Sequence, residues 1–260
     1  TGLFEDMQFA GRSYINHPME LNIWRAPTDN DMYIKLEWEK AHYDAAYTRA
    51  YRIEVLQNKH GVLIMEHLAV VADTVQKILD VEMTWKINGD GKIEAVIEAV
   101  KDKEFPDLPR FGIRMFLNKK MDEITYFGMG PQESYRDKHQ ASCHGLFRSK
   151  VAQMHEDYIR PQENGSHYDC DYVELTNGQC GIAAVSKNPF SFNASVYTQE
   201  ELERVSHNYE LKESDSTVFC MDYAMNGIGS NSCGPDVMDK YRIDEEAFPF
   251  KFELIPFVKG

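Results

Sequence analysis

The chain has 260 residues, 43% hydrophobic, 12% aromatic and 27% charged, so it can bury a substantial core and does not have a disordered composition. With a formal net charge of -14, a pI of about 5.1 and no dense Lys/Arg cluster, nucleic acid is excluded as the expected partner, whereas a neutral sugar meets no such repulsion. No apolar run approaches the ~20 residues of a membrane helix, and no basic start followed by an apolar stretch suggests a signal peptide.

Beginning at Thr1, the chain is expected to be an excised piece of a longer protein. Its five cysteines, Cys143, Cys170, Cys180, Cys220 and Cys233, are odd in number and show no tight repeated spacing. That argues for reduced thiols over a disulfide framework, and for a cytoplasmic setting.

In chain order, the first informative piece is Trp24-Arg25-Ala26-Pro27-Thr28-Asp29-Asn30-Asp31. Pro27 disfavours helix at Ala26, so this is a shaped loop in which Arg25 can pair in bidentate fashion with Asp29 or Asp31. Two readings fit it: a buried polar network that fixes the loop, or a loop facing a sugar. A helix is expected over residues 36–47.

Period-two alternation then predicts strands over residues 52–57, 62–70 and 75–87. The last places Val75, Lys77, Leu79, Val81, Met83, Trp85 and Ile87 on one face and Gln76, Asp80, Glu82, Thr84 and Lys86 on the other. Asn88-Gly89-Asp90-Gly91 supplies the positive φ angles of a hairpin turn, and Ile93, Ala95, Ile97 and Ala99 resume the alternation. A further strand is expected over residues 111–117.

The second polar segment runs Tyr126-Phe127-Gly128-Met129-Gly130-Pro131-Gln132-Glu133-Ser134-Tyr135-Arg136-Asp137. Its two glycines and proline predict a tight turn at a strand end. Its polar side chains either bond hydroxyls of a ligand or satisfy one another. His139, Cys143 and His144 follow without the second Cys/His pair of a zinc site, so no metal site is expected.

The third segment is Pro161-Gln162-Glu163-Asn164-Gly165 with His167 close by. Glu133 and Glu163 could be imagined as an acid/base pair, but a retaining glycosidase needs its two carboxyls ~5 Å apart and spacing along the chain does not show that.

Strands are expected over residues 172–176 and 181–186 around a second Asn177-Gly178 turn, and over 190–197. Thr198-Gln199-Glu200-Glu201 has the pattern of a capping box opening a short helix to about His207. A strand over residues 217–223 precedes the fourth segment, Asn226-Gly227-Ile228-Gly229-Ser230-Asn231-Ser232-Cys233-Gly234-Pro235. Rich in glycine but without Gly-Lys-Ser/Thr, it reads as an exposed loop and not a phosphate cradle. A last strand over 248–257 puts Phe248, Phe250, Phe252 and Leu254 on one face. Many strands at short spacing with few short helices predict an all-β fold, a large antiparallel sandwich in one domain over residues 1–260.

The four segments, in this order, resemble the C-terminal domain, or small chain, of family 2 β-galactosidases. The resemblance rests on Trp24 to Asp31, Gly128 to Asp137 and Pro161 to Gly165. It extends to Pro189-Phe190-Ser191-Phe192 with Tyr197 and Glu201-Leu202-Glu203, and to Gly227 through Pro235.

The resemblance implies a β-supersandwich related to galactose mutarotase. It implies that no catalytic residue lies in this chain, since the reacting glutamates, magnesium and sodium belong to other domains. The chain would then line the pocket for a terminal β-D-galactosyl group, with Trp24, Arg25, Asp29, Asn30, Asp31, Ser232 and Cys233 as wall residues. Glu133, Tyr135, Asp137, Glu163 and Asn164 would form the supporting loop network. The partner is the catalytic barrel, on the same or a separate chain, in an enzyme expected to be a homo-oligomer.

The family places a sugar-stacking Trp where this sequence has Cys233, so another aromatic, Trp24 or Tyr135, is expected to substitute, or the subsite differs. The competing expectation is a free-standing epimerase or sugar-binding module of the mutarotase type, using His144, His155 or His167 with Glu163 for proton transfer.

Overall fold

The computed structural model describes residues 1–259, and the side chains of Val75 and Gln76 lie outside the described set, so their expected facing is not addressed. Fourteen strands and two short α-helices occur in the order β1 (Gln8–Phe9), β2 (Arg12–Ser13), β3 (Ile15–Asn22), α1 (Ile34–Lys40), β4 (Tyr47–Asn58), β5 (Gly61–Ala72), β6 (Val75–Asn88), β7 (Ile93–Lys101), β8 (Arg110–Asn118), β9 (Glu123–Gly130), β10 (Cys143–Lys150), β11 (Ser166–Thr176), β12 (Cys180–Ser195), α2 (Gln199–Arg204), β13 (Ser216–Met225) and β14 (Ala247–Val258). Apart from the β1–β2 ribbon, the strands form one branched antiparallel sheet in the order β10-β9-β11-β12-β14-β7-β6-β5-β4. The branch runs from β12 through β13 and β8 to β3.

The branch point explains why two expected strands are one. Residues 180–185 of β12 pair with β14, and residues 191–195 pair with β13. Between them the register to β11 is irregular, and Pro189 sits in that stretch, where its missing N–H costs no ladder bond. The two halves fold toward each other and bury one continuous core, to which β6 gives Leu79, Val81, Met83 and Trp85 and β14 gives Phe248, Phe250, Phe252 and Leu254. Each such large side chain contributes about 1.5–3 kcal/mol by leaving water.

Lys77 departs from the expected inward face: it is exposed and pairs with Asp80, while Ile78 on the opposite face is fully buried. That end of the sheet is covered on both sides, which simple alternation does not capture.

The glycines of the second segment also differ from expectation. Residues 126–130 belong to β9, and the chain turns only after Gly130. A Cβ on Gly128 would lie 2.1 Å from Cys170 Sγ, and one on Gly130 would lie 2.3 Å from the Tyr126 hydroxyl. These positions lack a side chain because neighbours approach closely, and not because the backbone needs a positive φ.

The expected 36–47 helix is shorter. It stops after Lys40, and His42 at φ 58 breaks it before a 3-10 turn over Tyr43–Ala45. In α2, the Thr198 hydroxyl accepts from the Glu201 amide at 3.1 Å as expected. Glu201 does not reach back; its carboxylate accepts from Arg204 and from the Lys212 amide, and the helix ends at Arg204. All five cysteines are free.

Candidate functional site: a convergence of four loops

Arg25 is the hub. Its side chain is fully buried, donating from Nε to Asp31 Oδ2 at 3.1 Å and from Nη2 to Asp31 Oδ1 at 2.7 Å. Of the two carboxylates open to it by spacing, Asp31 is the partner, because the 3-10 turn Asp29–Asp31 swings that side chain inward while Asp29 stays exposed. Asp31 Oδ2 also accepts from the Thr28 amide at 2.8 Å, closing the loop on itself. The guanidinium then crosses to the fourth segment, donating to the carbonyls of Asn226 at 2.6 Å and Gly227 at 3.1 Å. Trp38 lies beneath it, with the ring centroid 5.4 Å from the guanidinium carbon.

The other segments join around this pair. Asn30 Nδ2 donates to the Gly229 carbonyl at 2.6 Å, and the Ser232 hydroxyl donates to Asn30 Oδ1 at 2.8 Å. Asp137 of the second segment accepts from the amides of Ile228 at 3.1 Å and Gly229 at 2.7 Å. The third segment docks through Gln162, which accepts from the Asp29 amide at 2.9 Å, and through the Glu163 amide, which donates to the Ala26 carbonyl at 3.0 Å. Residues more than 200 positions apart are thus held within hydrogen-bond reach.

Below the loops lies a second layer of charge. Arg110, at the start of β8, pairs with Asp222 of β13 through Nε at 3.0 Å and with Glu163 at 3.3 Å, all of them buried. Burial works against the Arg110 charge, but Asp222 and Glu163 outweigh it and hold the guanidinium above its ordinary pKa. Burial pushes Glu163 up to about 7, against the opposing pull of Arg110 and Arg25, and raises Asp222 as well. Glu163 and Asn164 are tied to β12 by Asn193 Nδ2, at 3.4 Å to Oε1 and 2.5 Å to the Asn164 carbonyl.

Glu133 accepts from Lys138 at 2.5 Å, from the Gly165 amide at 2.8 Å, from the Tyr135 hydroxyl at 3.5 Å and from the Tyr158 hydroxyl. Both glutamates are fully engaged inside the chain.

Among the described residues, no group of three or more His, Cys, Asp or Glu side chains is placed to hold a metal ion. The histidines weighed for proton transfer are dispersed in role. His167 is buried between Tyr126 and Phe192, with Nδ1 3.0 Å from the Met129 carbonyl. His144 lies 3.0 Å from the Asp169 carbonyl, and His155 packs edge-on to Tyr197.

Residues 1–254 match the family model described as β-galactosidase small chain. The chain belongs to that family. A β-galactosidase of Actinobacillus pleuropneumoniae is 46% identical over 98% of this chain, and one of Staphylococcus xylosus is 37% identical over 90%. These matches cover 25% and 23% of the relatives, so the chain spans about a quarter of their length. Among solved structures, this small chain is similar to a galactose 1-epimerase from Lactobacillus acidophilus NCFM, with a TM-score of 0.45 and 7% identity over 80% of this chain and 66% of that one. A second similarity is to a putative aldose 1-epimerase of Escherichia coli K12, at a TM-score of 0.36 and 7% identity over 98% and 79%.

The small chain places its expected wall residues at two depths. Arg25 and Asp31 are buried, and so is Trp24, at 6% exposure, with its indole nitrogen 3.1 Å from Glu203 and its ring edge-on to Trp38. Tyr135 is 3% exposed. Within this chain, then, neither Trp24 nor Tyr135 offers a ring face to a ligand. Asp29, Ser232 and Cys233 are exposed, and Asn30 is half-buried.

Sequence reading missed Arg110 and Asp222, which brace the loops from beneath, and Lys138 and Tyr158, which hold Glu133 from nearer the surface. The one signal in the sequence was a charged residue at an inward position of an apolar strand, as with Asp222 in β13.

Proposed function

We propose that this chain is the accessory sandwich of a retaining β-galactosidase, shaping the pocket for a terminal β-D-galactosyl group while the reacting carboxylates lie on the remainder of the enzyme. One observation carries this reading: four loops far apart in sequence are cross-linked through Arg25, Asn30 and Asp137 into one rim that leaves Asp29, Ser232 and Cys233 facing outward. Glu133 and Glu163 are occupied by internal partners, which supports placing bond cleavage elsewhere. The magnesium and sodium implied by the resemblance would be bound by that remainder, and the complete enzyme would act as a cytoplasmic homo-oligomer on lactose-type substrates.

An apolar edge supports docking onto the rest of the polypeptide, which makes up about three quarters of the relatives' length. The outer strand β4 exposes Tyr51, Ile53, Val55 and Leu56 at 49–59% each, on a sheet edge with unpaired backbone. The first residues of the chain pack at the base of this strand, where a Cβ on Gly2 would meet Leu68 and Ala50.

The test is complementation. The purified chain alone should not turn over a chromogenic β-galactoside. Mixed with an A. pleuropneumoniae β-galactosidase lacking its matching segment, it should restore turnover. Hydrolysis by the chain alone, or catalysed mutarotation of galactose in a polarimeter, would count against the proposal.

A further inference from the structure

We propose that the chain carries a saccharide-binding cavity of its own, formed where two β-bulges turn Tyr168, Asp169 and Tyr223 toward Arg136 and the Pro189–Ser191 stretch of β12. The cavity has a volume of about 300 Å³, at the lower end of small-molecule sites and suited to a single pyranose ring.

Its construction is visible in the register. Between His167 and Cys170, β11 carries one residue more than its partner β12, and Asp169 there is held at φ 54, a left-handed conformation that a non-glycine residue seldom adopts. On the other side of β12, strand β13 inserts Tyr223 between the residues paired with Gly112 and Phe111 of β8. Both irregularities open onto the same cavity. Bulges re-aim side chains in this way beside binding sites.

The polar groups around the cavity are unspent. Among the described residues, the Asp169 carboxylate and the hydroxyls of Tyr168, Ser191 and Tyr223 make no hydrogen bond, and Arg136 uses only Nη1, on the Arg242 carbonyl at 2.9 Å. By contrast, the nearby carboxylates of Glu133 and Asp137 are hydrogen-bonded within the chain. The floor is apolar, with Phe190 at 2% exposure.

One guanidinium and one carboxylate leave the cavity near neutrality, which disfavours phosphate or a free cation and suits a neutral polyol. A carboxylate can accept from two vicinal hydroxyls while the guanidinium donates to a third, and aromatic rings cover the apolar face of a sugar. Tyr223 is already fixed, stacked on Phe248 at 5.0 Å and 16°. Burial holds its phenol in the protonated form, able to donate.

The inference does not rest on the hydrolase reading, because binding is measured on the 260-residue chain alone and no turnover is involved. Titration with methyl β-D-galactopyranoside, followed by calorimetry and saturation-transfer NMR, should give a Kd on the order of 1–10 mM. Asp169→Asn keeps a residue that tolerates the left-handed backbone and removes the charge. Tyr223→Phe keeps the ring on Phe248 and removes only the hydroxyl. Each should weaken binding by about three- to tenfold, with the melting temperature held within about 2 °C. No binding up to about 50 mM, or an affinity unchanged in the double variant, would overturn the proposal.

Discussion

Arg25 and Asp31 are the place to test whether the rim is held by charge. Arg25→Met removes a cation that makes four hydrogen bonds and leaves the Asp31 carboxylate at 3% exposure with only the Thr28 amide. Stranding a buried charge costs about 3–5 kcal/mol. Asp31→Asn keeps the shape and an acceptor for Thr28, and Arg25 retains its two carbonyl partners, so about 1.5–3 kcal/mol is expected. In the double variant no full charge is stranded, so its cost should fall short of the sum of the singles by about 1.5–3 kcal/mol. Urea denaturation of the chain reads this as shifts in midpoint at constant m-value. Single costs that add to within about 0.5 kcal/mol would refute the view that the pair acts as one cross-link.

Two buried groups set opposite pH dependences. Glu163 is raised by burial from 4.5 to about 7, so the folded state holds its proton more tightly. Its contribution is full below 4.5 and is lost as pH rises to about 7. Burial lowers His167 from 6.5 to about 4, so its contribution is full above 6.5 and is lost as pH falls toward 4. Each is worth about 3 kcal/mol, and the two nearly cancel across the shared window. Glu163→Gln should therefore make the urea midpoint rise more steeply with pH than the parent's between about pH 4.5 and 7; a profile identical to the parent's would contradict the assigned burial. Thiol labelling of the native chain should modify Cys143 and Cys233 quickly and spare Cys170, Cys180 and Cys220 until unfolding, since the last three are buried and burial raises the Cys220 thiol to about 12. Five equal rates would mean an open core.

Strands whose two faces differ were legible. The alternation over β6, β7 and β14 located them to within a few residues, because one face of each meets the core and the other meets water. Where the environment is not two-sided, the pattern failed. In β3 the run Asn16-His17-Pro18 interrupts alternation at two register shifts, and alternation predicts no strand there. Nor does it reveal β9, because Gly128 and Gly130 suggest a turn unless the approach of Cys170 and Tyr126 is known. The split partnership of β12 depends on β13 and β14, both distant in sequence.

The candidate site was legible as four polar segments, and their convergence was implied only by the family resemblance. Local spacing offered Arg25 two carboxylates and could not choose between them. Arg110 and Asp222 stand 112 positions apart, and nothing near either names the other. The resemblance offers Trp24 as a stacking ring in place of the one absent at Cys233, yet Trp38 packs edge-on to it and Glu203 accepts from its indole nitrogen.

These misreadings have one cause, and it bears on function. The residues that look chemically rich in the loops are mostly spent on one another, so the rim is ordered by folding and needs little further ordering when a partner docks. Immobilising a flexible side chain at an interface costs about 0.5–1.5 kcal/mol, and a loop pinned at Arg25, Asn30 and Asp137 has met that cost in advance. Under the proposed function, recognition falls to the exposed residues of these loops, Asp29, Ser232 and Cys233. Because Cys233 is held by its own backbone turn to Ser230, with its thiol exposed, a change of side chain there alters what the rim presents without disturbing what supports it.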